Sequence, residues 1–158
     1  MNTEKKFWLL IAAFACLFAL GVYSVFRPDK GPIQLIRGPV REIAPGLIAG
    51  PYPSRDEVAG LKEKGVQEII SLMDPSMPLE AQIIDVERDA AGKNGIEYLN
   101  FPLSFLNLRS DANMERINAA VAHALSSKGK RIYVHCYLGR HRVGVFEEEY
   151  RKAEKGGG

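Results

Sequence analysis

Compact apolar runs alternate with amphipathic stretches along most of the chain. Runs of strand type lie at 67–73, 96–101 and 131–135, and a further short strand with a turn at Pro45-Gly46 is predicted over 42–49. Apolar positions at helical spacing predict helices over 55–64, 79–91, 110–127 and 140–155. Ser54 and Glu57 have capping-box spacing, which marks the start of the first of these helices. The alternation predicts an α/β fold, a mainly parallel central sheet of four to five strands with helices on both faces.

The N-terminus carries a different pattern. Residues 7–26 form an uncharged apolar run that is long enough to cross about 30 Å of hydrocarbon as a helix. A cleaved signal peptide is the rival interpretation, but the run is long for a signal and no clear small-x-small site follows it. We therefore expect a retained, single-pass transmembrane helix. Basic residues flank the run on both sides, so the charges leave the side of the membrane open.

These segments predict a domain organisation. Residues 1–28 form the membrane anchor, and the Pro- and Gly-rich residues 29–41 form a linker. Residues 42–155 form one folded domain, and residues 156–158 form a disordered glycine tail. The net charge of +2 argues against a nucleic-acid partner. The two cysteines, Cys16 and Cys136, indicate no disulfide framework.

The stretch VHCYLGRHRVG, residues 134–144, carries the candidate chemistry. It follows the last strand and opens the last helix, at the carboxyl edge of the predicted sheet, where sites form in α/β folds. Backbone amides from Tyr137 to Arg142 are expected to converge on an anion, and Gly139 permits the curl this requires. Arg142 is placed to grip a phosphate with its planar fork. The same positive field favours the thiolate of Cys136 beneath that phosphate, placed for attack on phosphorus.

The pattern His135-Cys136-x-x-Gly139-x-x-Arg142 resembles the signature of cysteine-based protein tyrosine and dual-specificity phosphatases. The wider sequence over roughly 47–150 is similar to the small atypical dual-specificity type. The resemblance implies a phosphatase that forms a phosphocysteine at Cys136 and uses no metal or cofactor. It implies phosphate binding by Arg142 and support of the thiolate by a hydrogen bond from His135. The remaining loop residues expected to bind phosphate are Tyr137, Leu138, Gly139, Arg140 and His141.

Two features depart from the family pattern. Val143 stands where the family usually has the Ser or Thr that helps the cysteine leave the intermediate. The general acid is not evident: Asp111 is the nearest candidate, equally well explained as a carboxylate favouring a helix N-terminus, and Asp74 is second. A third expectation is negative, since His135, Cys136 and His141 match no common zinc spacing.

The function that these residues favour is a membrane-anchored phosphomonoesterase. The alternatives are a weak or inactive phosphate-binding module of the same fold, which Val143 would suit, and a rhodanese-like sulfurtransferase. A phosphoprotein, an inositol phosphate and a phospholipid headgroup all present the same dianion to the loop, so the sequence leaves these three substrate classes open.

Overall fold

A computed structural model of the chain describes residues 2–26 and 32–156. The chain divides into two compact units, Met1–Ile36 and Arg37–Gly158. In the first unit, helix α1 spans Thr3–Phe26 and a short 3-10 turn spans Pro32–Leu35. By length and composition α1 is able to cross a membrane, and it exposes nearly all of its apolar side chains. Part of the predicted linker (27–31) and the last two glycines lie outside the described residues.

The second unit is built on one five-stranded sheet with the order β1-β2-β5-β3-β4. Its strands are β1 Arg41–Ala44, β2 Leu47–Pro51, β3 Glu68–Ser71, β4 Glu97–Asn100 and β5 Ile132–Cys136. The edge strand β1 pairs antiparallel with β2 through the Pro45-Gly46 turn, and the other four strands are parallel. Four helices connect the strands or follow them: α2 Arg55–Glu63, α3 Pro78–Lys93, α4 Asp111–Ser126 and α5 His141–Gly156.

Both faces of the sheet are covered, because successive strand residues point to opposite sides. Ile70 and Val134 pack in one core cluster with residues of α4 and α5, such as Phe146. Ile69 and Tyr133 pack on the other face in a cluster formed with α2 and α3. The predicted fold class, a mainly parallel sheet between two helical layers, is therefore confirmed.

Capping side chains fix where two helices begin. Ser54 accepts a hydrogen bond from the Glu57 amide at 3.3 Å, and the Glu57 carboxylate accepts one from the Ser54 amide at 2.8 Å. This is the capping box that the sequence predicts. Ser110 caps α4 by accepting from the Asn113 amide at 3.4 Å. The predicted elements differ from the observed ones by at most two residues at their ends, where hydrogen bonding fades gradually.

Candidate active site

The candidate site lies where β5 ends and α5 begins. Cys136 is the last residue of β5, and its side chain is buried and not in a disulfide. It lines a cavity of about 420 Å³. The cavity is lined by Glu80, Phe105, Leu108, Cys136, Tyr137, Leu138, His141 and Arg142. Residues 136–142, which we call the signature loop, thus supply five of these side chains.

The carbonyl groups of the signature loop show which way its amides point. The Leu138 carbonyl accepts a hydrogen bond from the Gly38 amide at 2.7 Å, and the Tyr137 carbonyl accepts one from the Tyr52 amide at 3.5 Å. Neither Gly38 nor Tyr52 lines the cavity. In a trans peptide the N–H points opposite to the preceding C=O, so the amides of Leu138 and Gly139 point the other way, towards the cavity side. The loop therefore has the amide arrangement of an anion-binding nest.

Gly139 lets the loop turn in the available space. Its φ of 69° is in the left-handed region, which glycine adopts without steric cost. A Cβ at this position would lie 2.3 Å from the Pro51 nitrogen and 2.4 Å from the Gly50 carbonyl carbon. Both the conformation and the close approach to the end of β2 therefore require glycine.

Arg142, in the first turn of α5, is held by a buried ion pair. Its Nη1 donates to Glu80 Oε2 at 2.8 Å, and its Nη2 donates to Glu80 Oε1. Nη1 also donates to the Leu72 carbonyl at 3.0 Å. The two side chains of the pair are only 7% and 11% exposed. Glu80 thus binds the guanidinium end-on, through its two terminal nitrogens Nη1 and Nη2.

This end-on pairing leaves the other edge of the guanidinium available. Among the described residues, no acceptor is found for Arg142 Nε, and a guanidinium has five N–H donors in a rigid fork. The Nε–Nη2 edge is therefore able to bind two oxygens of a phosphate while Glu80 stays in place. Burial lowers the pKa of Arg142, but the hydrogen bond and charge of Glu80 more than offset it, so the pKa is raised overall.

His135 lies on the opposite face of β5 from the sulfur. Its ring is fully buried and stacks on Tyr133, with centroids 6.0 Å apart. Nε2 lies 2.8 Å from Glu87 Oε1, but the groups are out of line for a hydrogen bond. Neither ring nitrogen has a hydrogen-bond partner among the described residues. The expected bond from this ring to the thiolate is not among the contacts, and any support of Cys136 must pass through the backbone or the electrostatic field.

The two candidate acids lie outside the cavity. Asp111 is the exposed first residue of α4, and Asp74 follows β3 with a carboxylate that accepts from the Ser76 amide at 3.0 Å. Neither side chain is among the lining residues, whereas His141 is. Arg140 is exposed. Val143 is fully buried in the core cluster that contains Cys136.

Glu80 is the residue of this site that the sequence did not reveal. It stands in the first turn of α3, where a carboxylate is adequately explained by the helix N-terminus. Its partner is 62 positions away along the chain. No local spacing signals a pair so distant in sequence, and only the packing of α3 beside the signature loop brings the two groups together.

No family model matches the chain, and no curated protein matches it. Several solved structures, however, are similar to it. A proposed phosphatase (DUF442) from Shewanella putrefaciens is 28% identical, with a TM-score of 0.56, and the match covers 75% of this chain and 73% of that one. The core catalytic domain of the PP-IP phosphatase SIW14 from S. cerevisiae, in complex with citrate, is 20% identical, with a TM-score of 0.58 over 73% of this chain and 66% of that one.

A third similar structure is P. aeruginosa TpbA in complex with pTyr. It is 19% identical, with a TM-score of 0.58, and the match covers 74% of this chain and 64% of that one. These structures share the α/β architecture described above, and the resemblance to cysteine-based phosphatases that the sequence indicates is confirmed. The chain therefore resembles cysteine-dependent phosphatases in both its fold and its signature loop.

The Glu80–Arg142 pair yields a stability prediction. Replacing Glu80 with alanine leaves a buried guanidinium without its counter-charge, which typically costs about 3–5 kcal/mol. We therefore expect Glu80→Ala to lower the free energy of unfolding by about that amount, measured by urea denaturation followed by circular dichroism. Binding of inorganic phosphate, measured by calorimetry, should weaken in the conservative variant Glu80→Gln, because Arg142 loses its orientation.

Glu147→Ala is the matched control. Glu147 accepts from Arg41 at 2.7 Å and from Arg151 at 2.8 Å, but these arginines are substantially exposed. Such pairs contribute only about 0–1 kcal/mol. Equal destabilisation by the two alanine variants would show that the buried pair is not special.

Proposed function

We propose that the chain is a membrane-anchored phosphomonoesterase that acts through a cysteinyl-phosphate intermediate on Cys136. One observation supports the proposal: Cys136 and Arg142 line the same cavity, together with other residues of the signature loop. The N-terminal end of α5 adds positive potential at the same place. A phosphate ester bound there would have its phosphorus directly above the sulfur.

The reaction has two steps. The Cys136 thiolate attacks phosphorus, the bond from phosphorus to the leaving oxygen breaks, and that oxygen takes up a proton. Water then attacks the phosphocysteine, the P–S bond breaks, and inorganic phosphate leaves with the thiolate restored. The loop amides and Arg142 stabilise the negative charge of the equatorial oxygens in both steps.

Helix α1 supports the anchored form of the proposal. It is apolar along its length, and its side chains are exposed rather than packed in a core. Exposed phenylalanine, tryptophan and leucine side chains on one long helix are costly in water and favourable in lipid. We therefore propose that α1 holds the phosphatase unit at a membrane as a single-pass anchor.

The charge of the cavity bears on the substrate. Its walls beyond the loop are apolar, with Phe105 and Leu108 among them, and the charge of Arg142 is balanced by Glu80. A ligand with several phosphates would need an excess of cations that these lining residues do not supply. Of the three substrate classes, we propose one phosphate on an apolar or aromatic group, as in a phosphoprotein or a lipid, over an inositol polyphosphate.

The substrate proposal predicts a ranking of kcat/KM. An aryl phosphate should exceed inositol hexakisphosphate by at least about tenfold, and Phe105→Ala should lower kcat/KM for the aryl phosphate by about tenfold through lost apolar contact. Leu106→Ala is the control, because Leu106 is 82% exposed and does not line the cavity. A preference for the polyphosphate, or an equal effect of both alanine variants, would reject the assignment.

Val143 bears on the choice between an active enzyme and a phosphate-binding module. It is fully buried in the core cluster that contains Cys136, and its side chain has no hydroxyl that could assist the departing sulfur. We propose that the enzyme is active but that breakdown of the phosphocysteine is its slow step.

A slow second step predicts burst kinetics. With p-nitrophenyl phosphate, the wild-type protein should release about one equivalent of nitrophenolate rapidly and then turn over slowly. Val143→Thr should raise the slow rate by about tenfold and diminish the burst, because a hydroxyl hydrogen-bonded to the sulfur is worth about 1–2 kcal/mol. Rapid-quench mixing measures both phases.

Cys136→Ser is the control and should show neither phase. If the wild-type protein were no faster than Cys136→Ser, the binding-module alternative would hold. Formation of thiocyanate from thiosulfate and cyanide, abolished in Cys136→Ser, would instead favour the sulfurtransferase.

His141 is our proposed proton donor for the leaving oxygen. Glu80, the only carboxylate among the lining residues, is occupied by Arg142. Burial and the charge of Glu80 raise the pKa of Tyr137, which makes it a weaker acid. Asp111 remains the alternative, since it follows Leu108, a lining residue, by three positions.

Leaving-group dependence distinguishes these two acids. Loss of the true acid should lower kcat/KM about 10²–10⁴-fold for an alkyl phosphate, whose leaving oxygen needs the proton. The loss should be far smaller for p-nitrophenyl phosphate. We expect this pattern for His141→Ala and little change for Asp111→Asn. The reverse result would return the role to Asp111, and uniform losses with both substrates would assign His141 to phosphate binding alone.

A further inference from the structure

The signature loop is in contact with the beginning of the folded unit. Gly38 donates its amide hydrogen to the Leu138 carbonyl at 2.7 Å. This hydrogen bond is shorter than the one from the Tyr52 amide to the Tyr137 carbonyl, at 3.5 Å. A Cβ on Gly38 would lie 2.9 Å from the Gly139 oxygen and 3.0 Å from the Leu138 oxygen. The chain therefore passes directly behind the carbonyl groups whose orientation turns the loop amides towards the cavity.

Arg37, which precedes Gly38, is bonded to two other parts of the domain. Its guanidinium donates to Glu57 Oε1 at 3.1 Å and Oε2 at 3.0 Å, and to the Tyr52 carbonyl at 2.9 Å. Its side chain is only 9% exposed. Glu57 is itself fixed by the capping box of α2, so the arginine is held by a group that cannot easily move.

Tyr52 links the same arginine to the loop. Its carbonyl accepts from Arg37, its amide donates to the Tyr137 carbonyl, and its ring stacks on the Tyr137 ring with centroids 5.4 Å apart. Arg37 and Gly38 thus reach the two loop carbonyls by two routes, one direct and one through Tyr52.

We propose that Arg37 and Gly38, which we call the strap, are positioning residues that set the shape of the phosphate-binding loop. Both residues lie within the predicted linker 29–41, so this proposal connects part of that linker with the proposed phosphate site. The inference rests on the proposed function for its meaning in catalysis, but the strap acts on anion binding itself.

The loop has little room to yield to a larger residue in the strap. On one side Gly139 already lies against the backbone of Gly50 and Pro51, and on the other it faces Gly38. Gly38 is not among the glycines with positive φ, so an alanine there meets no backbone strain of its own. Its methyl group would push on two carbonyl oxygens, and rotation of their peptide planes would turn the loop amides out of alignment.

Gly38→Ala in the full-length chain, purified in detergent, is the central test. Two readouts report the anion site: the inhibition constant of inorganic phosphate, and the rate of Cys136 alkylation by iodoacetate relative to iodoacetamide. Mass spectrometry of the Cys136 peptide separates this thiol from Cys16. A cradle of amides should favour the anionic reagent in the wild-type protein. We expect Gly38→Ala to weaken phosphate inhibition at least about tenfold and to lower the alkylation ratio by a similar factor.

Gly60→Ala is the matched control, because a Cβ at Gly60 in α2 meets no atom within 4 Å. It should leave both readouts at wild-type values. If Gly38→Ala remained folded and behaved like Gly60→Ala, the strap would have no positioning role.

Arg37→Lys keeps the test decisive if Gly38→Ala fails to fold. A lysine retains the charge but loses the two-pronged contact with Glu57 and cannot also hold the Tyr52 carbonyl in the same way. We expect an intermediate loss in both readouts with circular dichroism unchanged. A folded Arg37→Lys with wild-type phosphate inhibition and alkylation ratio would overturn the proposal.

The alkylation ratio separates failure of the strap from failure of the proposed function, because it requires no turnover. A wild-type protein that hydrolyses no ester but prefers iodoacetate, with the preference lost in Gly38→Ala, would support the strap and reject the enzyme. A wild-type protein without that preference would have no anion cradle, and the strap proposal would fall with it.

Discussion

The buried ion pair between Glu80 and Arg142 is the interaction on which the site depends. A guanidinium at the edge of a core carries a large desolvation cost unless an acceptor meets it there. Glu80 supplies that acceptor at the end of the group, which fixes the plane of Arg142 and leaves its Nε–Nη2 edge for a ligand. An isolated arginine would either turn to solvent or collapse onto the nearest carbonyl. The proposed phosphate site is therefore preorganised before a ligand binds.

The signature loop obeys a second constraint, which concerns backbone polarity. Amides can turn inward only if the carbonyls that precede them are satisfied on the outside. Gly38 and Tyr52 provide those outer donors, and glycine at 139 gives the space and the φ that the turn requires. The conformation of the signature loop thus depends on three segments: the end of β2, the entry to the folded unit and the β5–α5 turn. The backbone geometry of the loop is therefore set by all three segments together.

The sequence predicted the elements and the loop well because both depend on local signals. Strand and helix periods, the Ser54 box and the cysteine-to-arginine spacing are each read within a few residues. Glu80 and Arg37 escaped because their partners lie 62 and 20 positions away. The identity of the acid depends on the same kind of long-range packing: Asp111 is suggested by its distance along the chain, whereas His141 is the candidate that lines the cavity. Interactions between distant segments are decided by packing, which one sequence does not disclose.

Buried charge is handled differently at the two ends of the sheet. At the amino end of β3, Glu68 is fully buried, and both of its oxygens are taken, by His123 at 2.6 Å and Lys130 at 3.1 Å. Near the carboxyl end, His135 and Glu87 are equally buried, yet the ring nitrogens of His135 have no hydrogen-bond partner among the described residues. Satisfied buried charges are what stability alone favours. His135 and Glu87 are 2.8 Å apart but poorly aligned, so the two ends of the sheet differ in how well their buried polar groups are paired.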